Sequence, residues 1–150
     1  MNDFLKHATD IHQYDSEEVD WKTAGSKDTP SRQFFQEYLK KVLNVKGKSV
    51  LDIGSGIGQL FDMLKELGVS SVEGVEPSLK NVETSKKLYP TVEVFHGTLE
   101  QVEKSRLFDT AIAVMVFEHI IDLPSAFKSC GKNSLRSCAG MNCRQIGYTV

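Results

Sequence analysis

Short apolar runs and helically spaced apolar positions alternate along most of this chain. The runs, which taken together are rich in Val, Ile and Phe, cover residues 50–53, 72–76, 92–95 and 108–116. Runs of this length and composition are typical of strands that a sheet buries on both faces. The pattern therefore predicts four strands, with residues 108–116 as the most deeply buried.

Helical segments separate the predicted strands. Apolar side chains recur at helical spacing over residues 29–46, 60–67 and 79–89, and a shorter helical stretch covers 99–104. The three longer segments end at residues that stop helices, namely Gly47, Gly68 and Pro90. Strands joined by helical connections imply right-handed crossovers. The fold class predicted is therefore α/β with a mostly parallel sheet.

A glycine-rich loop directly follows the first predicted strand. Gly54, Gly56 and Gly58 are spaced two residues apart. Glycines in this place let the backbone turn sharply and let a ligand approach without meeting a Cβ atom. Dinucleotide-binding loops have the different spacing Gly-x-Gly-x-x-Gly and hold a pyrophosphate at a helix N-terminus. The spacing here favours a ligand without a diphosphate, while a plain tight turn or a nicotinamide site stays open as an alternative.

An acidic residue ends the second predicted strand. Glu76 lies eighteen residues after Gly58 and directly before Pro77. Nucleotide sites of α/β proteins place a carboxylate near this position, where it accepts hydrogen bonds from ribose hydroxyls. An isolated acid at a strand end is more often simply solvated. Its interval from the glycine loop and its place before Pro77 favour the ribose interpretation.

Together these motifs resemble a known family. The segment from about residue 43 to 127 resembles class I S-adenosylmethionine (SAM)-dependent methyltransferases, near the small-molecule families related to quinone-biosynthesis enzymes. The resemblance implies a Rossmann-like doubly wound parallel sheet with strand order 3-2-1-4, and SAM as the cofactor. It also implies methyl transfer to a small-molecule acceptor. Two alternatives are a non-catalytic SAM-binding remnant or subunit that needs a partner chain, and an NAD-dependent oxidoreductase, which the glycine spacing disfavours.

The resemblance also assigns cofactor contacts residue by residue. It implies that the methionine part of SAM is bordered by Asp52, Gly54, Ser55, Gly56 and Gly58, and that Glu76, with Pro77, holds the ribose. The turn beside the adenine would be Thr98, Leu99 and Glu100. The floor below the sulfonium would be Met115 and Val116. The family often has an acid in the adenine turn directly after the glycine, whereas Thr98 stands there in this chain. Asp52 also suits a structural role, in which it caps the following turn.

No catalytic residue is evident in the sequence. His119 is the candidate general base, since an unperturbed histidine titrates near neutral pH. The favoured alternative is a loop or helix-start histidine that lines the site. Methyl transfer from SAM needs a base only where the acceptor must lose a proton.

Length and composition are those of one ordinary globular domain. The chain has 150 residues, of which 40% are apolar and 25% charged, with a net charge of −2. The sequence lacks an apolar stretch long enough for a membrane span, and its first residues do not form a signal peptide. We therefore expect a cytoplasmic protein that does not act at a membrane.

The C-terminal segment differs in composition from the rest. Residues 123–150 contain four of the 18 Lys and Arg residues and none of the 20 acids. We therefore divide the chain into a flexible N-terminal cover (1–28), a SAM-binding core (29–127) and a basic, cysteine-containing tail (128–150). The family continues after strand four with further strands, so we expect a truncated or frame-shifted end. An exposed edge of the fourth strand would then self-associate, unless residues 143–150 supply a fifth strand.

The cysteines and the basic residues of the tail add no further ligand. Cys130, Cys138 and Cys143 have spacings that match no zinc pair, so no metal site is expected. Four basic charges spread over the tail, without interleaved aromatic residues, do not predict nucleic-acid binding.

Overall fold

The structure is a computed structural model and describes residues 30–102 and 107–114, together with single positions at 116, 120 and 124. The predicted N-terminal cover (1–28) and tail (128–150) lie outside the described residues. The division of the chain into three parts therefore stays a prediction.

Helices and strands alternate through the described residues. Their bounds are α1 Pro30–Val42, β1 Ser49–Ile53, α2 Phe61–Glu66, β2 Ser71–Glu76, α3 Leu79–Leu88, β3 Glu93–His96, a 3-10 helix Leu99–Gln101 and β4 Thr110–Ala113. All strand pairs are parallel, and the order is β3-β2-β1-β4. The predicted α/β class and the Rossmann-like strand order are both confirmed.

Apolar side chains cover both faces of the sheet, as the continuous apolar runs predicted. On one face, Val50, Val72 and Ile112 pack in a cluster with buried residues of α1, α2 and α3. On the other face, residues such as Leu51 and Val75 pack against the segment around the 3-10 helix. Because successive side chains of a strand point to opposite faces, each strand contributes to both clusters.

Strand β4 is shorter than predicted. The prediction was residues 108–116, whereas the strand is Thr110–Ala113. Its ladder pairs with residues 50–53 of β1 and ends where β1 ends, because Gly54 has a positive φ of 67° and leaves the extended conformation. Val114, beyond this paired stretch, is therefore not part of the strand.

An aromatic pair, Phe61 and Tyr89, packs over the glycine loop at α2 and at the end of α3. The rings of Phe61 and Tyr89 meet edge to face with centroids 5.3 Å apart, and the Tyr89 hydroxyl donates to Asp62 Oδ2 at 2.9 Å. Gly58 lies under these rings with a φ of 87°, and a Cβ atom there would come within 2.6 Å of Phe61 and 2.8 Å of Tyr89. This glycine is therefore needed for packing as well as for backbone conformation.

None of the helices within the described ranges combines the length and the apolar character that crossing a membrane requires.

Gly58→Ala is expected to destabilise the fold more than Gly47→Ala. Both glycines have a positive φ, so each substitution introduces backbone strain of about 1–2 kcal/mol. A Cβ atom at Gly47 would have no atom within 4 Å, whereas one at Gly58 would also displace two rings at a further cost of about 1–3 kcal/mol. Urea unfolding of both variants measures the difference. Equal losses would contradict the packing role of Gly58.

Candidate functional site

The ends of β1 and β2 meet the glycine loop at one edge of the sheet. The backbone N–H groups of Gly54 and Ser55 both donate to the Val75 carbonyl, at 2.8 and 3.2 Å. The loop therefore stays bonded to β2 after it leaves β1. Since ligands of open α/β sheets bind outside the carboxyl ends of the strands, this edge is the candidate site.

The loop glycines have different surroundings. A Cβ atom at Gly54 would come within 2.4 Å of the Val116 side chain, so Val116 fills the space beside Gly54. Of the described residues, a Cβ atom at Gly56 would meet only the Gln59 side chain, at 3.7 Å. Gly56 has a φ of 56° and Gly58 is covered by aromatic rings. Gly56 is thus the loop glycine with room for an approaching ligand.

Gly74 on β2 is a site residue that the sequence analysis did not single out. A Cβ atom at this position would come within 2.5 Å of the Ser55 hydroxyl and 3.1 Å of the Phe61 ring. The missing side chain lets the loop lie directly on the sheet, so that Ser55 is buried. A glycine inside a strand often marks such a close approach, and this signal was available in the sequence.

Glu76, the last residue of β2, joins the loop to the start of α3. Its Oε2 accepts a hydrogen bond from the Gly56 N–H at 2.9 Å. Its Oε1 accepts from the Ser78 N–H at 3.1 Å and from the Asn81 side-chain amide at 3.2 Å. The side chain is only 6% exposed. A buried carboxylate of this kind is tolerated because hydrogen bonds replace its contacts with water.

Ser78 and Asn81 were also missed in the sequence analysis. Ser78 is the N-cap of α3, and its hydroxyl accepts from the Asn81 N–H at 3.3 Å. Serine directly before a helix is a recognised start signal. The signal indicates where α3 begins, but the contact of both residues with Glu76 depends on how the chain turns at Pro77.

Asp52 is the second buried carboxyl of the site and has a different environment. It lies in β1 opposite Gly74 and is 2% exposed, and within the described part of the chain its Oδ2 has no hydrogen-bond partner. Burial, with a smaller contribution from the neighbouring Glu76 charge, raises the pKa of the Asp52 carboxyl to about 8. Asp52 is therefore mostly protonated at neutral pH.

The predicted adenine turn lies beside Glu76. The Gly97 N–H donates to the Glu76 carbonyl at 3.0 Å, which ties the turn to the end of β2. Within the turn, the Thr98 N–H donates to Gln101 Oε1 at 2.9 Å, Leu99 is buried and Glu100 is exposed. The structure thus brings the glycine loop, Glu76 and this turn together.

Other predicted contacts are placed only in part. Pro77 is half-buried, and its carbonyl accepts from His96 Nε2 at 3.0 Å, a contact not predicted from the sequence. Val116 lies against Gly54. Met115 and His119 lie outside the described residues, so their roles stay predictions. The described residues contain no group of three His, Cys, Asp or Glu side chains that could hold a metal ion.

Comparison with known proteins identifies the family. A family model described as a methyltransferase domain matches residues 28–134, which is more than half of the chain. The chain belongs to this methyltransferase family. The predicted resemblance to class I SAM-dependent methyltransferases is confirmed, and SAM is the cofactor that goes with this family.

Relatives of this methyltransferase domain cover part of the chain. A ubiquinone biosynthesis O-methyltransferase of Bradyrhizobium diazoefficiens is 32% identical over 100 residues, which are 64% of this chain and 39% of the relative. The mitochondrial enzyme of that name from Bos taurus is 33% identical over 95 residues, 57% of this chain and 25% of the relative. The chain thus spans two fifths or less of the length of these relatives.

Solved structures show the same fold. An S-adenosylmethionine-dependent methyltransferase from Mesorhizobium loti superposes with a TM-score of 0.56 at 19% identity, covering 73% of this chain and 50% of that one. At this identity the likeness shows the fold of the methyltransferase domain and does not extend to its substrate.

Asp52→Asn is expected to weaken the pH dependence of stability. Because the folded-state pKa lies above the ordinary value of 3.8, the folded domain keeps a proton that the unfolded chain releases. The free energy of unfolding therefore falls as pH rises from about 4 to about 8, by up to about 1.4 kcal/mol per pH unit, and levels off above that. Asparagine stays neutral, so the variant lacks this fall. Urea unfolding of wild type and Asp52→Asn at about pH 5 and about pH 8 measures this fall. If the two proteins differ in stability by the same amount at both pH values, the raised pKa is contradicted.

Proposed function

We propose that this chain binds SAM at the carboxyl ends of β1 and β2 and serves methyl transfer to a small-molecule acceptor. The observation that carries the proposal is the Glu76 carboxylate, which is bonded to the glycine loop and lies next to a second buried carboxyl, Asp52. Since the relatives are much longer than this chain, the activity is proposed for it and is not taken over from them.

The chemistry of the site fits the cofactor. The methionine part of SAM ends in an α-amino acid group, which carries an ammonium and a carboxylate. Among the described residues, Asp52 has a buried carboxyl oxygen without a hydrogen-bond partner, which suits the ammonium. A cation beside this carboxyl would favour its ionised form and would form an ion pair with it. The open space at Gly56 would allow the cofactor to approach the loop backbone. The Glu76 carboxylate would accept hydrogen bonds from the ribose hydroxyls.

Little further chemistry is needed from the protein. When bound, SAM supplies a methyl group that its sulfonium already activates. The residues of this chain would hold the cofactor in one orientation and exclude water, which allows an acceptor atom to align with the methyl group. The O-methyltransferase names of the relatives favour a hydroxyl acceptor on a small molecule. His119 stays the candidate base for its proton. The family match does not favour an oxidoreductase or a non-catalytic remnant.

Titration calorimetry with S-adenosylhomocysteine, the demethylated product of SAM, tests the cofactor site. Glu76→Gln keeps the size of the side chain but removes its charge and puts an amide nitrogen near the N–H donors. Loss of the charge-assisted hydrogen bonds that the carboxylate makes to the N–H donors and would make to the ribose is expected to weaken binding by about 10- to 100-fold. Glu93→Gln, an exposed residue of β3, makes the same change of charge and should bind as the wild type does.

The outcomes of this titration separate binding from folding. Thermal unfolding of all three proteins shows whether they are folded at the titration temperature. A folded wild type that does not bind S-adenosylhomocysteine would overturn the proposed cofactor site. Equal affinity of wild type and Glu76→Gln would overturn the role of Glu76. With binding established, release of S-adenosylhomocysteine from SAM in the presence of phenolic acceptors tests methyl transfer.

We also propose that the domain self-associates through β4. Among the described strands, β4 has one neighbour, β1. Unless residues 143–150 supply a fifth strand, the backbone donors and acceptors of its other edge would pair with a second copy. Sedimentation velocity over a dilution series should show oligomers that dissociate on dilution. A monomer at every concentration would contradict this proposal. The cytoplasmic location stays a prediction.

A further inference from the structure

Asn81 makes a contact with the site that the proposed function does not yet explain. Its side chain is buried at 9% exposure in the first turn of α3, and its Nδ2 donates to Glu76 Oε1 at 3.2 Å. A carboxylate can only accept hydrogen bonds, so the amide nitrogen must be the atom that faces it. A buried asparagine is otherwise unfavourable, because its polar groups lose their contacts with water.

The two oxygens of Glu76 are held by different parts of the chain. Oε1 accepts from Ser78 and Asn81, which both belong to the start of α3, while Oε2 accepts from Gly56 of the loop. The Ser78 and Asn81 donors on Oε1 differ in kind, since one is a backbone N–H two residues after Glu76 and the other is a side chain. The side-chain donor fixes the rotation of the carboxylate plane about its last bond. It therefore determines how Oε2 faces Gly56 and the crevice.

A backbone hydrogen bond and the packing of its helix hold Asn81 itself in place. Its backbone N–H donates to the Ser78 hydroxyl, so the cap of α3 positions the residue from the main-chain side. The neighbouring Val82 and Ser85 are buried, which anchors this face of α3 on the sheet. Asn81 thus connects a rigid helix to the carboxylate.

We propose that Asn81 is a positioning residue that orients the Glu76 carboxylate toward the ribose hydroxyls of the cofactor. The proposal rests on the proposed SAM site. It predicts that loss of the amide affects the recognition of ribose and leaves the recognition of the rest of the cofactor intact.

The test compares two ligands on two proteins. The ligands are S-adenosylhomocysteine and its 2′-deoxy analogue, which lacks one of the hydroxyls that Glu76 would bind. Asn81→Leu keeps the side chain's approximate size in a buried place but has no donor. We expect wild type to bind the deoxy analogue about tenfold more weakly, and Asn81→Leu to bind S-adenosylhomocysteine about tenfold more weakly while discriminating little between the ligands. Asn81→Ala, which tests the same donor with a smaller side chain, should behave in the same way.

Glu83→Ala is the matched control, because Glu83 is an exposed residue of the same helix. It should keep both the affinity and the discrimination of the wild type. Equal weakening of both ligands in the Asn81 variants would indicate a merely structural role and overturn the proposal, as would unchanged discrimination. Wild type that binds neither ligand would overturn the proposed SAM site, and this inference with it. Wild type that binds both equally would overturn the ribose contact of Glu76 on which Asn81 acts.

Discussion

The hydrogen bonds of the Glu76 carboxylate are the interaction on which the candidate site depends. This side chain joins the end of β2 to Gly56 in the loop and to the first turn of α3 through Ser78 and Asn81. The backbone N–H groups of Gly56 in the loop and of Ser78 at the helix start would otherwise lack an acceptor, and the Glu76 carboxylate supplies one to each. A single carboxylate therefore fixes three backbone segments, and it does so at the position proposed for the ribose. Under that proposal, structure and recognition use the same atoms.

The two buried carboxyls of the site have opposite environments. Glu76 accepts hydrogen bonds from N–H donors, which compensate a carboxylate for burial, while one oxygen of Asp52 has no partner among the described residues. Burial and the Glu76 charge together favour the protonated form of Asp52. The two acids therefore differ in what a ligand could still offer them. The proposed site assigns the ribose hydroxyls to Glu76 and the ammonium of the methionine part to Asp52.

Close packing explains why glycines are needed at the site. Gly54, Gly58 and Gly74 each leave room for a side chain of the same chain, respectively Val116, the Phe61 and Tyr89 rings, and Ser55. Gly56 is the exception in the loop, since among the described residues a Cβ atom there would meet only Gln59. The glycine motif thus combines two constraints. Gly54 and Gly58 make room for side chains packed against the loop, and Gly56 leaves space beside the backbone for a ligand.

The sequence by itself determined the α/β class, the strand order through its family resemblance, and the position of Glu76, because apolar runs and glycine spacing are local patterns. The contacts that these patterns form in the folded chain could not be predicted from the sequence. The end of β4 at Ala113 depends on where β1 turns away, and the roles of Gly74, Ser78 and Asn81 depend on contacts between separate segments. Whether a buried acid is bonded, like Glu76, or unpartnered, like Asp52, likewise follows from the neighbours that folding brings to it. Only the tertiary structure decides this, because hydrogen bonds and burial join residues that the sequence keeps apart.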